Sequence, residues 1–242
     1  MRQIDLVLQK RDLTKLNCEL AVKVHAWLMT QVDAEYAKSM HSSDELRPFS
    51  LFTCVQENNI VLRLSSLHEN TAPLLDAARK ARIINVSGLD GGIAVLDRIE
   101  KPDISASQLS KLAPKEFHMI LASTASYKHN KQPSNLYSLP PLLYTVATKL
   151  RKFEAIDIPN DEVLELCDLV TYSRYKLHTA EYKIEIGVTR PGFEGELLIR
   201  PGGSKNQREK LALLLRYAAY AGVGAKTALG MGGILLVESE SR

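Results

Sequence analysis

Six histidines, His25, His41, His68, His118, His129 and His178, are scattered along the chain. None falls in an HxH, HExxH or histidine-carboxylate spacing, so the pattern predicts no metal site and no cofactor. It leaves single histidines, which titrate near neutrality, as candidate proton carriers. Glycine gives a second signal. Five of the 13 glycines lie in GVGAKTALGMGG, residues 222–233. This is not a dinucleotide fingerprint, because Thr227 stands three after Gly224, nor a Walker A loop, because Ala225 separates Gly224 from Lys226. It predicts a loop in which Gly222, Gly224, Gly230 and Gly232 admit another backbone and offer free N–H groups to anionic phosphates. Lys226 adds a charge and Thr227 a hydroxyl. A helix C-cap followed by a bulge is the plainer reading of the same glycines. The third signal is a stretch holding Tyr172, Arg174, Tyr175, Lys176 and His178. In a strand, Arg174, Lys176 and His178 share a face, and the tyrosines serve either stacking on bases or core packing. Lys128, His129 and Lys131 in a loop, and Lys205, Arg208 and Arg216 on the last helix, are further candidates for phosphate contact.

These residues need a scaffold, and periodicity supplies one. Ile4, Leu6 and Leu8 alternate with polar residues as a strand with one buried face. Leu16, Leu20, Val24 and Leu28 follow at helical spacing, and residues 33–46 read as a loop. Phe49 to Gln56 and Ile60 to Ser66 form a hairpin, Thr71 caps a helix with Pro73 early in it, and Ile93 to Ile99 is a fourth strand. The order is strand, helix, strand, strand, helix, strand. The second half repeats it with Phe117–Ala122, Leu142–Arg151, strand-like segments at 170–178, 182–189 and 195–200, a Ser204-capped helix and Gly232–Val237. An acidic helix, Asp161–Cys167, sits in the crossover. The fold class predicted is α+β, two tandem ferredoxin-like (RRM-like) βαββαβ domains, 1–105 and 115–242, joined through the polar, proline-bearing segment 101–115.

At 242 residues and 45% hydrophobic, the chain can bury a full core, which excludes disordered and disulfide-scaffold classes. It has no apolar run of about 18 residues and no signal-like N-terminus, and Cys18, Cys54 and Cys167 lack paired spacing. A cytoplasmic protein with no membrane partner is expected. The net charge of +3 is unevenly spread. Residues 101–152 hold eight basic and two acidic residues, 153–170 six acidic and no basic, and 171–226 ten basic and five acidic. Such placement permits a positive face on a nearly neutral protein, as a polyanion binder needs.

GVGAKTALGMGGILLV, after a helix ending LLLRYAAYA, resembles the C-terminal signature of the CRISPR-associated endoribonucleases that cut precursor CRISPR RNA within its repeats. HSSDELRPFSLF, residues 41–52, is similar to that family's N-terminal pattern of a histidine followed by a basic residue, Pro and Phe leading into a strand. FHMILASTASY, SLPPLLYTVATKLRKF and FEGELLIR resemble segments of its second domain. The resemblance covers nearly the whole chain. It implies metal-independent cleavage by a ribose 2′-hydroxyl, leaving a 2′,3′-cyclic phosphate and a 5′-hydroxyl on a mature guide RNA. His41 would then act as acid or base and Arg47 would hold the phosphorane oxygens as a bidentate cation. The family's tyrosine on the first helix has no match here, where His25 and Trp27 stand, and Tyr36 and Lys38 are the nearby substitutes. His25, beside Val24 on the apolar face, reads as a packing or surface residue. The implied partner is CRISPR repeat RNA, with effector-complex subunits as possible further partners, in a monomer or homodimer. The alternative is a non-catalytic RNA-binding subunit of an effector complex.

Overall fold

The computed structural model describes residues 1–9, 17–41, 46–57, 59–185 and 188–239, with backbone alone at 17–19, 41 and 185. Strands β1 (Arg2–Leu8), β2 (Phe49–Gln56), β3 (Asn59–Ser66), β4 (Ile83–Ile84) and β5 (Ile93–Lys101) make one antiparallel sheet in the order β2-β3-β1-β5-β4. Helices α1 (Asn17–Thr30) and α3 (Ala72–Lys80) cover it, with α2 (Ala34–His41) after α1. A short α4 (Ala106–Leu109) leads to the second half. There β6 (Phe117–Ala125), β9 (Thr171–Glu185), β10 (Val188–Arg200) and β11 (Ile234–Glu238) form a sheet in the order β11-β6-β10-β9. Its helices are α5 (Leu139–Glu154), α6 (Asn160–Asp168) and α7 (Lys205–Ala221), and β7 (Tyr127–His129) pairs with β8 (Gln132–Ser134) as a separate hairpin. Both halves have the ferredoxin-like arrangement, in which the first and third strands lie side by side at the centre.

The alternation in the sequence sets which face meets the helices. Ile4, Leu6 and Leu8 on β1, with Leu51, Leu62 and Leu64, pack on Leu20, Val24 and Leu28 of α1 and Leu74 and Leu75 of α3. Phe117, Met119, Leu121, Leu197 and Ile199 do the same against α5 and α7. Burial on this scale, at about 25 cal/mol per Å² of apolar surface, holds each sheet to its helices.

The other face of β1 was expected to be wet, yet Gln3 and Asp5 are only 4% exposed. The cause is the second sheet's half of the molecule. Ser50 Oγ donates to the Tyr220 carbonyl (2.6 Å), and Phe52, Cys54 and Val61 meet Ala122 and Leu235. Asp5 is paired there with Arg63 in a bidentate contact of 2.8 and 2.6 Å, which satisfies both buried charges.

Two sequence expectations are corrected, and the connector gains a docking contact. Residues 34–41, read as loop, form α2, started by Asp33, whose Oδ1 accepts the Glu35 and Tyr36 N–H groups at 2.8 and 3.2 Å. The rest of that segment, 42–45, lies outside the described residues. The three strand-like segments between 170 and 200 are two long strands. The segment 101–115 is docked: Ala106 and Leu109 are buried in the second core, and Ser105 caps α4 with a capping box.

Candidate functional site

The end of α2 and the start of β2 bring several of the predicted residues to one edge of the first sheet. His41 is the last residue of α2; its side chain lies outside the described structure. Arg47, half-buried, stands two residues before β2. The buried Pro48 accepts the Leu67 N–H through its carbonyl (2.8 Å), joining this segment to the turn between β3 and α3. His68 in that turn is exposed, and its Nδ1 accepts the Asn70 N–H at 3.3 Å, which places the proton of the neutral ring on Nε2. Nothing in the sequence around His68 sets it apart from the other five histidines before the turn is built.

Tyr36 belongs to this edge in a different role from the one expected. Its hydroxyl donates to the Asn70 carbonyl (2.9 Å), and burial pushes its pKa up to about 12. A phenol so placed pins α2 to the Glu69–Thr71 turn and is a poor base near neutrality. Lys38 is exposed on the same helix. His25 is 6% exposed and stacks on Phe49 at 6.1 Å with 12° between planes, a core position.

The glycine segment is closed where an open cradle was expected. The N–H groups of Gly222, Gly224 and Gly232 donate within the chain, to the Ala218 carbonyl (2.8 Å), Thr145 Oγ1 (2.9 Å) and the Thr124 carbonyl (2.9 Å). Gly222 caps α7 at φ +66°, as the plainer reading had it. Gly230, at φ +100°, is buried against Tyr182 and Ala21, where a Cβ would overlap both. The Thr227 hydroxyl, 5% exposed for the residue, accepts from Lys149 Nζ (2.6 Å) and is not presented to solvent. Lys226 is exposed, at φ +59°.

Lys149 itself is 3% exposed, and its ammonium donates to the Ala221 carbonyl and Thr227 Oγ1, both at 2.6 Å. Burial lowers its pKa from 10.5 to about 7. It joins α5 to the end of α7 and to the 3₁₀ turn at Thr227–Leu229.

Arg174, Lys176 and His178 share the open face of β9, as alternation requires, but two carboxylates accompany them. Lys176 lies opposite Glu196 and His178 opposite Glu194 in the β9–β10 register. Arg174 approaches Glu196 at 3.5 Å, His118 Nε2 is 2.8 Å from Glu196, and Thr124 Oγ1 donates to Glu194. The face is therefore mixed in charge. Tyr172 does not join it. The register slips between Leu198 and Ile199, so Tyr172 pairs with Ile199, leaving Ser173 as the extra residue and turning Tyr172 to the side of Tyr175.

The other basic candidates divide. Lys128, His129 and Lys131 are exposed on the β7–β8 hairpin, whose two-residue loop, Asn130 and Lys131, has positive φ at both positions. Lys205 is paired with Glu209 (3.8 Å), and Arg208 donates to the Gly203 carbonyl (2.5 Å). Arg216 is withdrawn from any phosphate role. Its guanidinium, 11% exposed, donates to the carbonyls of Leu109, Lys111 and Leu112 and to Glu238, clamping the connector onto α7.

Comparison with known proteins agrees with this architecture along the whole chain. The family model for the CRISPR-associated endoribonuclease Cas6 matches residues 58–234. The CRISPR-associated endoribonuclease Cas6 of Streptococcus thermophilus is 25% identical over 233 residues, 91% of this chain and 92% of the relative. Among solved structures, a Cas6 product complex superposes with a TM-score of 0.78 at 21% identity, covering 98% of this chain and 100% of that one. Cas6 of Thermus thermophilus superposes at 0.70 with 19% identity, over 98% of each chain. With nearly three quarters of its length inside the family model and the two-sheet fold shared end to end, this chain belongs to the CRISPR-associated endoribonuclease Cas6 family.

Proposed function

We propose that this protein cuts precursor CRISPR RNA within its repeats without a metal ion, the 2′-hydroxyl attacking the neighbouring phosphorus. The observation that carries the reading is the edge where α2 ends at His41 and β2 begins after Arg47, in a member of an endoribonuclease family. The reaction needs a base to take the 2′-hydroxyl proton, positive charge on the pentavalent phosphorane, and an acid to return a proton to the departing 5′-oxygen. The products are a 2′,3′-cyclic phosphate and a 5′-hydroxyl. His41 supplies one proton transfer, worth about 10²–10⁴-fold. Arg47 holds the phosphorane oxygens through paired N–H donors. Because 34–41 is helical, positions 38 and 41 are neighbours one turn apart, so Lys38 adds charge beside His41. His68, exposed at the same edge, is the candidate for the complementary proton transfer.

In this reading residues 1–105 form the domain that carries the chemistry and residues 115–242 the domain that holds the RNA. Lys128, Lys226, Arg174, Lys176 and His178 contact phosphates, while Gly222, Gly224, Gly230 and Gly232 act by fixing where Lys226 stands. Structural relatives were solved as Cas6 product and substrate-mimic complexes, which is consistent with this assignment.

The test incubates purified protein with the repeat RNA of its own locus in EDTA, beside His41→Ala and His68→Ala. Cleavage in EDTA with cyclic-phosphate ends, lost in His41→Ala, is the expected result. Dependence on magnesium, or equal cleavage by His41→Ala, refutes the mechanism. A His68→Ala rate equal to that of the unaltered protein removes His68 alone.

A further inference from the structure

We infer that Tyr137, Tyr172 and Tyr175 form a stacking platform for an unpaired nucleobase of the RNA, an inference that rests on the RNA-cleaving reading above. The Ser173 bulge puts Tyr172 and Tyr175 on the same side of β9, and β9 is the edge strand of its sheet, so no further strand among the described residues covers them. Tyr137, two residues before α5, stands edge-on to both, at 6.2 Å and 81° from Tyr172 and 5.7 Å and 76° from Tyr175. It is itself backed edge-on by the buried Phe193 at 5.6 Å. The inner ring is thus an anchor and the outer rings are the surface: Tyr175 is 56% exposed and Tyr172 37%.

A cluster of this kind has no packing reason to leave its outermost ring in water. The Tyr137 and Tyr172 phenols, raised by burial above an already high ordinary pKa, are neutral and do not repel a nearby phosphate. The setting is also basic. The β7–β8 hairpin packs beside the cluster through Tyr127, 6.4 Å from Phe193, and presents Lys128 and Lys131 to solvent. Aromatic faces beside cations are how proteins take unpaired nucleotides without reading their sequence. This charge complementarity favours RNA over an apolar protein partner.

The place of the platform sets its role. Phe153, in the last turn of α5, lies 6.2 Å from His68 at the candidate catalytic edge, whereas Tyr137 precedes the first turn. Sixteen residues at 1.5 Å each put about 24 Å between the two ends of the helix. The bound base is therefore several nucleotides from the cut and contributes to RNA binding, not to the chemical step.

The test compares the unaltered protein with Tyr175→Ala, Tyr172→Ala and Tyr175→Trp on two RNAs, the repeat with its unpaired flanks and the paired stem alone. A 2-aminopurine is placed in each flank in turn. The expected result is a rise in KM on the order of tenfold for Tyr175→Ala with kcat unchanged, restored by Tyr175→Trp, and no change on the stem alone. One flank position should also be quenched by the unaltered protein and not by Tyr175→Ala. Unchanged KM for both alanine variants overturns the platform while leaving repeat cleavage standing, as does a loss confined to kcat, or lost self-association with RNA affinity intact. If the unaltered protein neither binds nor cuts repeat RNA, both readings fall. Tyr175 is exposed, so the melting temperature of its variants should match that of the parent.

Discussion

Replacing Lys149 by methionine should flatten the dependence of stability on pH. The ammonium is enclosed between α5, the end of α7 and Thr227, with two neutral acceptors and a pKa near 7 in place of 10.5. Between those values the unfolded chain holds a proton that the folded chain has released, so stability rises with pH. The cost of burying the charge is complete below about pH 7 and fades as pH climbs toward 10.5. Integrated from pH 7 to pH 9, the gain is about 2 kcal/mol. For a chain of this size that is a rise in Tm of about 4–8 °C. Methionine fills the same space without a proton to lose, and all other titrating groups cancel in the difference between the two proteins. The assay is thermal unfolding of both across that range at fixed ionic strength. Parallel curves, or a parent that loses stability relative to Lys149→Met as pH rises, would refute the buried, depressed lysine.

Tyr36→Phe should leave the cleavage rate within a few-fold, because the phenol already donates to Asn70, while lowering the denaturant midpoint by the equivalent of about 1 kcal/mol. A rate loss of about 10²-fold would reinstate Tyr36 as a proton carrier. Gly233→Ala drives a methyl into the Phe52 ring and should cost about 1–3 kcal/mol in a thermal melt; no loss would mean that the two sheets are not closed on each other there. Arg216→Ala removes the donors that hold the carbonyls of Leu109, Lys111 and Leu112, so trypsin should cut after Lys111 faster than in the parent. An unchanged cleavage pattern would show that the connector is held by Ala106 and Leu109 burial alone.

The sequence disclosed those features whose cause is local. Ile4, Leu6 and Leu8 alternate because one face of β1 meets helices, and Ser204 starts α7 because its side chain accepts the Gln207 N–H. What it hid depends on residues far away. The second face of the first sheet meets Tyr220 and Leu235 through Ser50, Phe52 and Val61, more than 160 residues away, and no period in its strands encodes them. Arg216 read as a free cation because its acceptors are main-chain carbonyls, which every residue carries. Whether the tyrosines stack or pack was open in the sequence, because a single extra residue, Ser173, decides that Tyr172 shares the side of Tyr175. Residues 34–41 hold no Leu, Ile, Val or Phe, so the short stripe of Tyr36, Ala37 and Met40 that packs on the core is weak in the sequence.

The glycine segment shows why one residue type can support two opposite readings. A phosphate cradle and a close backbone junction both need small residues and positive φ, so composition cannot separate them; what approaches the glycines does. Here Ser126, Phe52 and Tyr182 fill the space, and Ala218, Thr145, Thr124 and Ser123 accept the N–H groups of Gly222, Gly224, Gly232 and Gly233 that a phosphate would use. The consequence falls on Lys226. Its left-handed backbone is unusual for a residue with a side chain and persists because both flanks are fixed, Ala225 by its N–H to the Ser126 carbonyl (2.8 Å) and Thr227 by Lys149. The turn that follows it packs on both halves of the molecule, with Ala228 in the first core and Gly232 bonded to β6 of the second sheet. The cation is thus held by the junction between the two sheets. In the RNA-binding role proposed for Lys226, a phosphate at its ammonium would be positioned against both sheets at once, so a segment with little exposed surface of its own would govern where RNA lies.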